Sequence, residues 1–289
     1  MNKESELILN PDGTIFHLHL LPEQIADTLI LVGDPGRVET VADFFDTKEF
    51  VVSNREFVTC TGSYNGKRLT VLSTGIGTDN IDIVVNEIDA LANINLQTRE
   101  LNSEHRSLSF VRIGTTGSLR AEYPTNSWLV SKKSIGFDGM LAFYAGFESI
   151  CDISFEETFR KFVNWSEKLP TPYVVNASRK LLQLFDNEYF TKGINISAPG
   201  FYGPQGRTLR LTPAMMYLNE RIEQFHHKGQ RITNYEMESS ALYGLSGLLG
   251  HHALTICLVI TNRITQETNE SYHPEMEKLI QTVLTRLTS

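Results

Sequence analysis

The sequence has few cysteines with which to form disulfide bonds. The 289 residues include three cysteines, Cys60, Cys151 and Cys257, an odd number at wide spacing. Such a set fits neither a disulfide framework nor a zinc knuckle, in which cysteines recur at short intervals. We therefore expect three free thiols and a reducing, cytoplasmic environment.

Long apolar runs are also missing. The chain opens Met-Asn-Lys-Glu-Ser-Glu, without the apolar segment of a secretory signal. No apolar run reaches the roughly 18 residues that a membrane helix requires. We expect a protein that is not exported and has no membrane partner.

Basic residues are outnumbered by acidic ones. The sequence has 26 Lys and Arg against 34 Asp and Glu, a net charge of −8. Nucleic acids and anionic membranes are bound by basic faces, so neither is expected as a partner. A small anionic ligand stays compatible with this balance, because it needs positive charge only at its own site.

The sequence is richest in one repeated arrangement, an apolar run that leads into a glycine-rich turn. Leu29–Val32 precedes Gly33–Gly36, Leu69–Leu72 precedes Thr74–Gly77, and Phe110–Ile113 precedes Gly114–Gly117. Helical patterns follow the first two turns, with apolar positions Val38, Val41, Ala42 and Phe45, then Ile81, Val84, Val85, Ile88 and Leu91. This order predicts an α/β fold with a buried sheet flanked by helices, and ligands at the carboxyl ends of its strands.

The second half of the chain continues the pattern. Strands are predicted at Trp128–Val130, Ile194–Ile196 and Ala253–Ile260, and helices near 237–250 and from Pro274 onward. Thr212-Pro213 and Gly229 are typical of the start and end of a helix that contains Met216, Leu218 and Ile222. With no repeat or linker, residues 1–289 are predicted to form a single domain.

Two common nucleotide motifs are missing. Gly75-x-Gly77 is followed by Asn80 where a dinucleotide fingerprint has its third glycine. Gly66-Lys67-Arg68 lacks both the upstream glycine and the Ser/Thr of a P-loop. NAD and ATP enzymes are therefore disfavoured.

Eight blocks of the sequence resemble, in the same order, those of the nucleoside phosphorylases of the uridine phosphorylase type. They are Ile15–Leu18, Gly33–Val38, Asn54–Phe57, Ser73–Gly77, Val111–Gly117, Phe201–Arg207, Asn234–Ser239 and Ile260–Arg263. The resemblance implies the nucleoside phosphorylase fold, an α/β domain with a central mixed β-sheet flanked by helices. It also implies phosphorolysis of a nucleoside.

The resemblance assigns phosphate binding to Gly33, Arg37, Arg112 and Thr115, with Arg55 reaching in from a neighbouring subunit. Guanidinium groups suit this role because they bind phosphate oxygens in pairs and keep their charge. Arg112 lies in an apolar run, where an arginine without an anion would be costly. For the first loop an alternative stays open, a helix cap at Asp34 followed by a solvated Arg37.

For the ribose, the resemblance implicates Thr115, Met237 and Glu238, together with His17 of the neighbouring subunit. A carboxylate at a helix start can accept hydrogen bonds from the 2′- and 3′-hydroxyls. Glutamates at positions 236 and 238 are also favoured by the helix dipole alone. Met237 could equally be core, and His17 could be a solvated residue that alternates with His19 on a strand.

The base site is predicted at Gln205 and Arg207, whose side chains can donate to the uracil carbonyls and accept from N3–H. The resemblance adds Phe201 as a packing or stacking residue, Ile260 as a wall, and Arg263 as support on the O4 side. Read alone, Gln205-Gly206-Arg207 could be a polar turn.

The reaction expected from the resemblance is reversible phosphorolysis of uridine to uracil and α-D-ribose 1-phosphate. Its catalytic residues would be Arg112, Gln205, Arg207 and Glu238. Purine-cleaving relatives typically carry an Asp after the strand that ends here in Ile260, and this chain has none there. The alternatives are a purine nucleoside phosphorylase, a hydrolytic nucleosidase, or a nucleoside-binding protein without turnover.

Departures from the family concern cofactors and contacts. Thr78-Asp79-Asn80 replaces the usual Gly-Pro-Ser, which weakens the case for the monovalent-cation site that some relatives build with the residue at Glu56. His226-His227 and His251-His252 lack ligand spacing, so no metal is expected. Inorganic phosphate would be a co-substrate, and no cofactor is expected.

The assembly implied by the resemblance is a homodimer as the minimal active unit, with a hexamer of three such dimers as a larger form. Residues 95–107 look longer than in the family, and 143–172 match it weakly. We expect these two segments to bear on subunit contacts or on the rim of the pocket.

Overall fold

The computed structural model describes residues 3–289. Its strands are β1 (Thr28–Val32), β2 (Thr47–Asn54), β3 (Phe57–Tyr64), β4 (Lys67–Ser73), β5 (Ile94–Asn95), β6 (Glu100–Leu101), β7 (Ser109–Ser118), β8 (Trp128–Gly136), β9 (Tyr173–Asn176), β10 (Phe190–Ser197), β11 (His226–His227), β12 (Gln230–Glu236), β13 (His252–Asn262) and β14 (Glu267–Thr268). Its helices are α1 (Pro35–Ala42), α2 (Thr78–Asn93), α3 (Ile153–Val163), α4 (Arg179–Leu184), α5 (Leu218–Gln224), α6 (Ser239–Leu248) and α7 (His273–Thr288).

One twelve-stranded sheet organises these elements. Ten strands follow the order β11-β12-β10-β8-β13-β7-β1-β4-β3-β2, while β9 pairs with β8 and β14 with β13. The central strands β4, β1, β7 and β13 are parallel, and β8 is antiparallel to β13. The predicted α/β fold with a central mixed sheet is confirmed.

The apolar runs of the sequence form the centre of this sheet. Residues 29–32 of β1 are fully buried, as expected for a parallel strand that is covered on both faces. The predicted apolar face of α2 is buried against the same core, as are the apolar residues of α7. Of the α1 face, Phe45 lies beyond the last helical turn but is still buried.

Two glycine-rich turns join strands to helices at the carboxyl edge of the sheet. Asp34 precedes α1 and its side chain accepts a hydrogen bond from the Gly36 N–H at 3.0 Å. The turn before α2 contains Gly75 and Gly77, whose φ angles of 71° and 100° favour glycine. Thr74 N–H donates to the Val32 carbonyl at 2.7 Å, which holds the two turns side by side.

The third predicted turn was wrong. Gly114–Gly117 continues strand β7, which pairs with β13 through Gly117 and Thr261 and with β12 through Gly117 and Tyr235. Pairing on both sides keeps this glycine-rich segment extended. The strand therefore carries Arg112 and Thr115 on one continuous backbone.

The helix predicted between Thr212 and Gly229 was also wrong in its bounds. Only Leu218–Gln224 is helical, and Met216 lies outside it with 65% of its surface exposed. Gly229 does not end that helix, because Lys228 and Gly229 have φ angles of 50° and 73° and form the turn between β11 and β12.

Other expectations can be placed as well. Residues 16–18 form a turn, so His17 does not alternate with His19 on a strand. The 95–107 stretch includes the β5–β6 hairpin, and 143–172 contains α3. The three cysteines are free thiols, as predicted. Within residues 3–289, no helix has the length and apolar character needed to cross a membrane.

Candidate active site

A cavity of about 800 Å³ opens at the carboxyl edge of the sheet, between the turns before α1 and α2 and the ends of β7, β12 and β13. Ten of the predicted site residues line it: Gly33, Arg37, Arg112, Thr115, Phe201, Gln205, Arg207, Met237, Glu238 and Ile260. The fold thus gathers residues more than 200 positions apart in the chain into one concave site.

Arg112 lies at the floor of the cavity and is almost completely buried. Its Nη2 donates to Glu238, and its Nη1 lies 3.5 Å from Glu236 Oε2 and 3.7 Å from Cys257 Sγ. Burial lowers the pKa of Arg112, but the two carboxylates raise it by more than burial lowers it. The pKa of Arg112 therefore lies above its ordinary value. Its Nε is buried and has no hydrogen-bond partner among residues 3–289, so one N–H of this guanidinium is unsatisfied.

Glu238 occupies the boundary between the floor and the α6 end of the cavity. Besides the Arg112 guanidinium, it accepts a hydrogen bond from the Gly77 N–H at 2.9 Å. Burial raises the pKa of Glu238, and the Arg112 guanidinium opposes this rise. The carboxylate therefore links the anion-binding floor to the turn before α2.

Glu236 plays a different part from Glu238. Its carboxylate accepts hydrogen bonds from the Glu238 and Ser239 N–H groups at 3.0 and 2.9 Å, and from Asn195 Nδ2 at 2.6 Å. These contacts fix the start of α6, which is the helix-terminus role considered for glutamates in this segment. Met237 lies between the two and is only partly buried, on the cavity wall.

The loop before α1 combines both roles that the sequence allowed. Asp34 does cap the helix, as described above, but Arg37 is half-buried and lines the cavity. Arg37 Nη1 donates to the Ile113 carbonyl at 3.5 Å. Burial lowers the pKa of Arg37, an effect that Tyr272 opposes. The guanidinium thus points inward, toward the strand that carries Arg112.

The opposite end of the cavity is built by the segment after β10. Gln205 is 3% exposed, and its Oε1 accepts a hydrogen bond from Arg207 Nη1 at 2.5 Å. The Arg207 guanidinium lies 3.8 Å from the Phe201 ring centroid and donates to the Phe201 carbonyl at 2.6 Å. These three side chains form one unit with amide, guanidinium and aromatic surfaces.

Arg263 supports this unit from behind and does not itself line the cavity. Its Nη2 donates to the Gln205 carbonyl at 2.8 Å, and its guanidinium lies 5.3 Å from the Tyr235 ring. Burial lowers the pKa of Arg263, and burial together with Arg263 lowers that of Arg207 to about 10. Among residues 3–289, neither guanidinium has a carboxylate within 4 Å.

Arg55 and His17 lie outside the cavity of their own chain. They share a surface that we call the His17/Arg55 patch, made of Phe16, His17, Asn54 and Arg55. Asn54 Nδ2 donates to the His17 carbonyl at 2.8 Å, and the Arg55 guanidinium lies 5.5 Å from the Phe16 ring. The two residues expected to serve a neighbouring subunit are thus held next to each other.

The departures from the family fall at the rim. Asn80, from the substituted turn, and Glu56 both line the cavity.

A group of possible metal ligands lies outside the cavity. Asp89, His105 and His251 approach one another there, which the spacing of the histidines in the sequence does not indicate. The Leu108 N–H donates to His251 Nδ1 at 3.2 Å, so the neutral ring carries its hydrogen on Nε2, which lies 3.1 Å from Asp89. This geometry is that of a hydrogen-bonded pair.

Several cavity residues lie inside the sequence blocks but had no role assigned to them. They are Ile76, Thr116, Tyr235 and Thr261, which neighbour predicted site residues on the same turn or strand. Thr116 Oγ1 donates to the Tyr235 carbonyl at 2.6 Å and ties β7 to β12 beneath the site. The register between neighbouring strands, which the sequence pattern does not specify, places these residues at the cavity.

Comparison with known proteins defines the class. Residues 27–289 match the sequence model of the phosphorylase superfamily, and the chain belongs to this family. It is 30% identical to the uridine phosphorylase of Haemophilus influenzae over 94% of this chain and 96% of that protein. The uridine phosphorylase of Thermococcus kodakarensis is 26% identical over 89% of this chain and 80% of its own length.

A solved structure agrees with this placement. A Trypanosoma brucei nucleoside phosphorylase that shows uridine phosphorylase activity superposes with a TM-score of 0.84 and 26% identity, over 97% of this chain and 99% of the other. The chain is thus an enzyme of the nucleoside phosphorylase type, with the fold that the sequence blocks implied.

Proposed function

We propose that this enzyme catalyses the reversible phosphorolysis of uridine to uracil and α-D-ribose 1-phosphate. The observation that carries the proposal is the division of one cavity into an anion-binding floor around Arg112 and a Gln205–Arg207 end. Relatives named as uridine phosphorylases over nearly the full chain support it.

Recognition of uracil follows from the Gln205–Arg207 end. Uracil presents a carbonyl, an N–H and a second carbonyl along one edge. The Gln205 amide can donate to one carbonyl and accept from N3–H, while Arg207 donates to O4. Phe201 and Ile260 supply apolar surface for the ring faces.

A purine substrate lacks support at the end of β13. Purine-cleaving relatives typically place an Asp just after the strand that ends here in Ile260, and Thr261, which lines the cavity at this place, offers no carboxylate. The next residue, Asn262, is fully buried and donates to the carbonyls of Arg120 and Tyr123 at 2.8 and 2.9 Å. Its amide is committed to the loop and does not line the cavity. Pyrimidine recognition is therefore favoured.

In the proposed reaction, Arg37, Arg112, Thr115 and the Gly33 backbone hold phosphate below C1′ of the ribose. A phosphate oxygen forms a bond to C1′ as the bond from C1′ to N1 breaks, and its electron pair moves onto the uracil. Gln205 and Arg207 stabilise that charge at the carbonyl oxygens. This is electrostatic stabilisation by positioned donors, and it needs no cofactor besides the co-substrate phosphate.

We further propose that the active unit is a homodimer in the cytoplasm, with a trimer of dimers as a larger form. The His17/Arg55 patch supports the dimer, because these two residues lie outside the cavity that they are expected to serve. In the dimer, His17 contacts the partner-bound ribose together with Met237 and Glu238, and Arg55 contacts the phosphate.

One assay tests the reaction. The loss of uridine, thymidine, inosine and methylthioadenosine is followed by absorbance with and without phosphate. We expect turnover of uridine that depends on phosphate. Turnover without phosphate would identify a nucleosidase, faster turnover of inosine a purine enzyme, and no turnover of any substrate a binding protein.

The shared site is tested by mixing two variants, Arg55→Ala and Arg112→Ala, each expected to be inactive. A mixed dimer contains one intact site, made of Arg112 from one copy and Arg55 from the other. Refolding an equal mixture should restore about a quarter of the wild-type activity. No recovery, or a fully active monomer by light scattering, contradicts the shared site.

A further inference from the structure

Glu87, a partly buried residue of α2, holds the turn that carries His17. Its carboxylate accepts hydrogen bonds from the His17 N–H at 3.1 Å, the Leu18 N–H at 2.9 Å and the His17 Nδ1 at 2.5 Å. The Glu87 side chain is 14% exposed, so these contacts are shielded from water. Three donors on one acceptor fix both the backbone and the ring of His17.

This arrangement determines which ring nitrogen of His17 is free. A carboxylate only accepts, so Nδ1 carries the hydrogen that points at Glu87. In the neutral ring, Nε2 then presents a lone pair and is an acceptor. The His17 side chain is 28% exposed, which leaves Nε2 open to a ligand from outside the chain.

We propose that Glu87 is a positioning residue that makes His17 a hydrogen-bond acceptor for the ribose 5′-hydroxyl in the active site of a second copy. The proposal rests on the uridine phosphorolysis proposed above. Glu238 is placed to receive the 2′- and 3′-hydroxyls, so the 5′-hydroxyl is the ribose group left for a residue from another subunit. Its O–H donates to Nε2, and Glu87 holds the Nδ1–H, so that in the neutral ring Nε2 is the acceptor and its position is fixed.

The test compares uridine with 5′-deoxyuridine, which lacks the hydroxyl in question. For the wild type, kcat/KM should favour uridine about tenfold, as for one hydrogen bond in a shielded site. Glu87→Gln should reduce this preference to about twofold or less, mainly through KM for uridine. It should leave kcat/KM for 5′-deoxyuridine within about twofold of the wild type.

A matched control is available on the same helix. Asp89 also lies on α2 and contacts a histidine, but that histidine is His251 and not His17. Asp89→Asn should keep the wild-type preference for uridine. Adding Glu87→Gln to His17→Ala should cost less than twofold, because Glu87 acts only through His17.

An equal loss for both substrates in Glu87→Gln would show a structural role and overturn the proposal, as would an unchanged preference. A readout independent of turnover is ¹⁵N NMR of labelled histidine. His17 should be the Nδ1–H tautomer in the wild type, and the share of that tautomer should fall in Glu87→Gln, whose amide has one acceptor oxygen for three donors. A wild type that turns over neither substrate contradicts the proposed function, while an Nε2–H tautomer in the wild type contradicts the Glu87 proposal itself.

Discussion

Among residues 3–289, Arg112 and Arg263 each have a buried nitrogen without a partner, yet they lie in opposite surroundings. Arg112, at the floor of the cavity, faces Glu236 and Glu238. Arg263, at the Gln205–Arg207 end, contacts the Tyr235 ring and has no carboxylate within 4 Å in the same part of the chain. One cavity therefore contains a charge-balanced end and a positively charged end.

The difference matches the two charges of the proposed reaction. Phosphate arrives as an anion, and a floor whose arginine is already paired stays stable while the site is empty. The uracil becomes an anion only as the bond to C1′ breaks. Guanidinium groups without counter-charges stabilise that late charge more than they stabilise the neutral base, which is what lowers a barrier.

The largest effect is expected for Arg112→Met, in activity and in stability. Two carboxylates would lose their buried partner, and the proposed phosphate site would lose a donor. We expect the free energy of unfolding to fall by about 3–5 kcal/mol and kcat/KM to fall at least about 100-fold. Urea unfolding and the phosphate-dependent uridine assay measure the two.

Arg231, a surface arginine paired with Glu122 at 3.0 Å, offers the control. Arg231→Met should change stability by less than about 1 kcal/mol and leave activity unchanged. A loss of less than about tenfold in kcat/KM for Arg112→Met, equal to about 1.4 kcal/mol, contradicts the role given to Arg112.

Arg207→Met should separate activity from stability. Among residues 3–289, Arg207 is not paired with a carboxylate, so its replacement leaves no buried charge without a partner. We therefore expect the free energy of unfolding to change by no more than about 1 kcal/mol. The loss of charge stabilisation on uracil should lower kcat for uridine about 100-fold. The loss should be several-fold smaller for 5-fluorouridine, whose base carries negative charge more easily. Equal losses for the two nucleosides would mean that Arg207 binds the base without stabilising the leaving group.

Arg263→Met should have the smallest effect of the three. Arg263 acts on the base only through Gln205 and through its charge, so kcat/KM is expected to fall about tenfold or less. Stability should stay level or rise slightly, because a buried charge without a counter-charge is replaced by an apolar chain. A stability loss as large as that of Arg112→Met would remove the contrast between the two ends.

Much of the fold was predictable because it depends on local pattern. The run Leu29–Val32 and the helical spacing of Ile81 to Leu91 each specify an element and its buried face. Prediction failed where the partner strand decides. Gly114–Gly117 reads as a turn by composition but is extended because β12 and β13 pair with it. Gly229 reads as a helix end but belongs to a hairpin.

The site divides in the same way. The sequence blocks identified Arg112 and Gln205, and the requirement for an anion near Arg112 was a sound physical expectation. That the anions next to Arg112 are Glu236 and Glu238, more than 120 positions away, depends on how β7 meets the start of α6. The contact between Glu87 and His17, 70 positions apart, is likewise a product of the tertiary fold.

Helix α2 has a place in both sites at once. At its N-terminal turn, Gly77 N–H donates to Glu238 of its own cavity, and ten positions later Glu87 holds His17. Ten residues of helix span about 15 Å. In the proposed dimer, this helix connects two active sites. A displacement of the helix along its axis would therefore shift Gly77 and Glu87 together, one residue at each site.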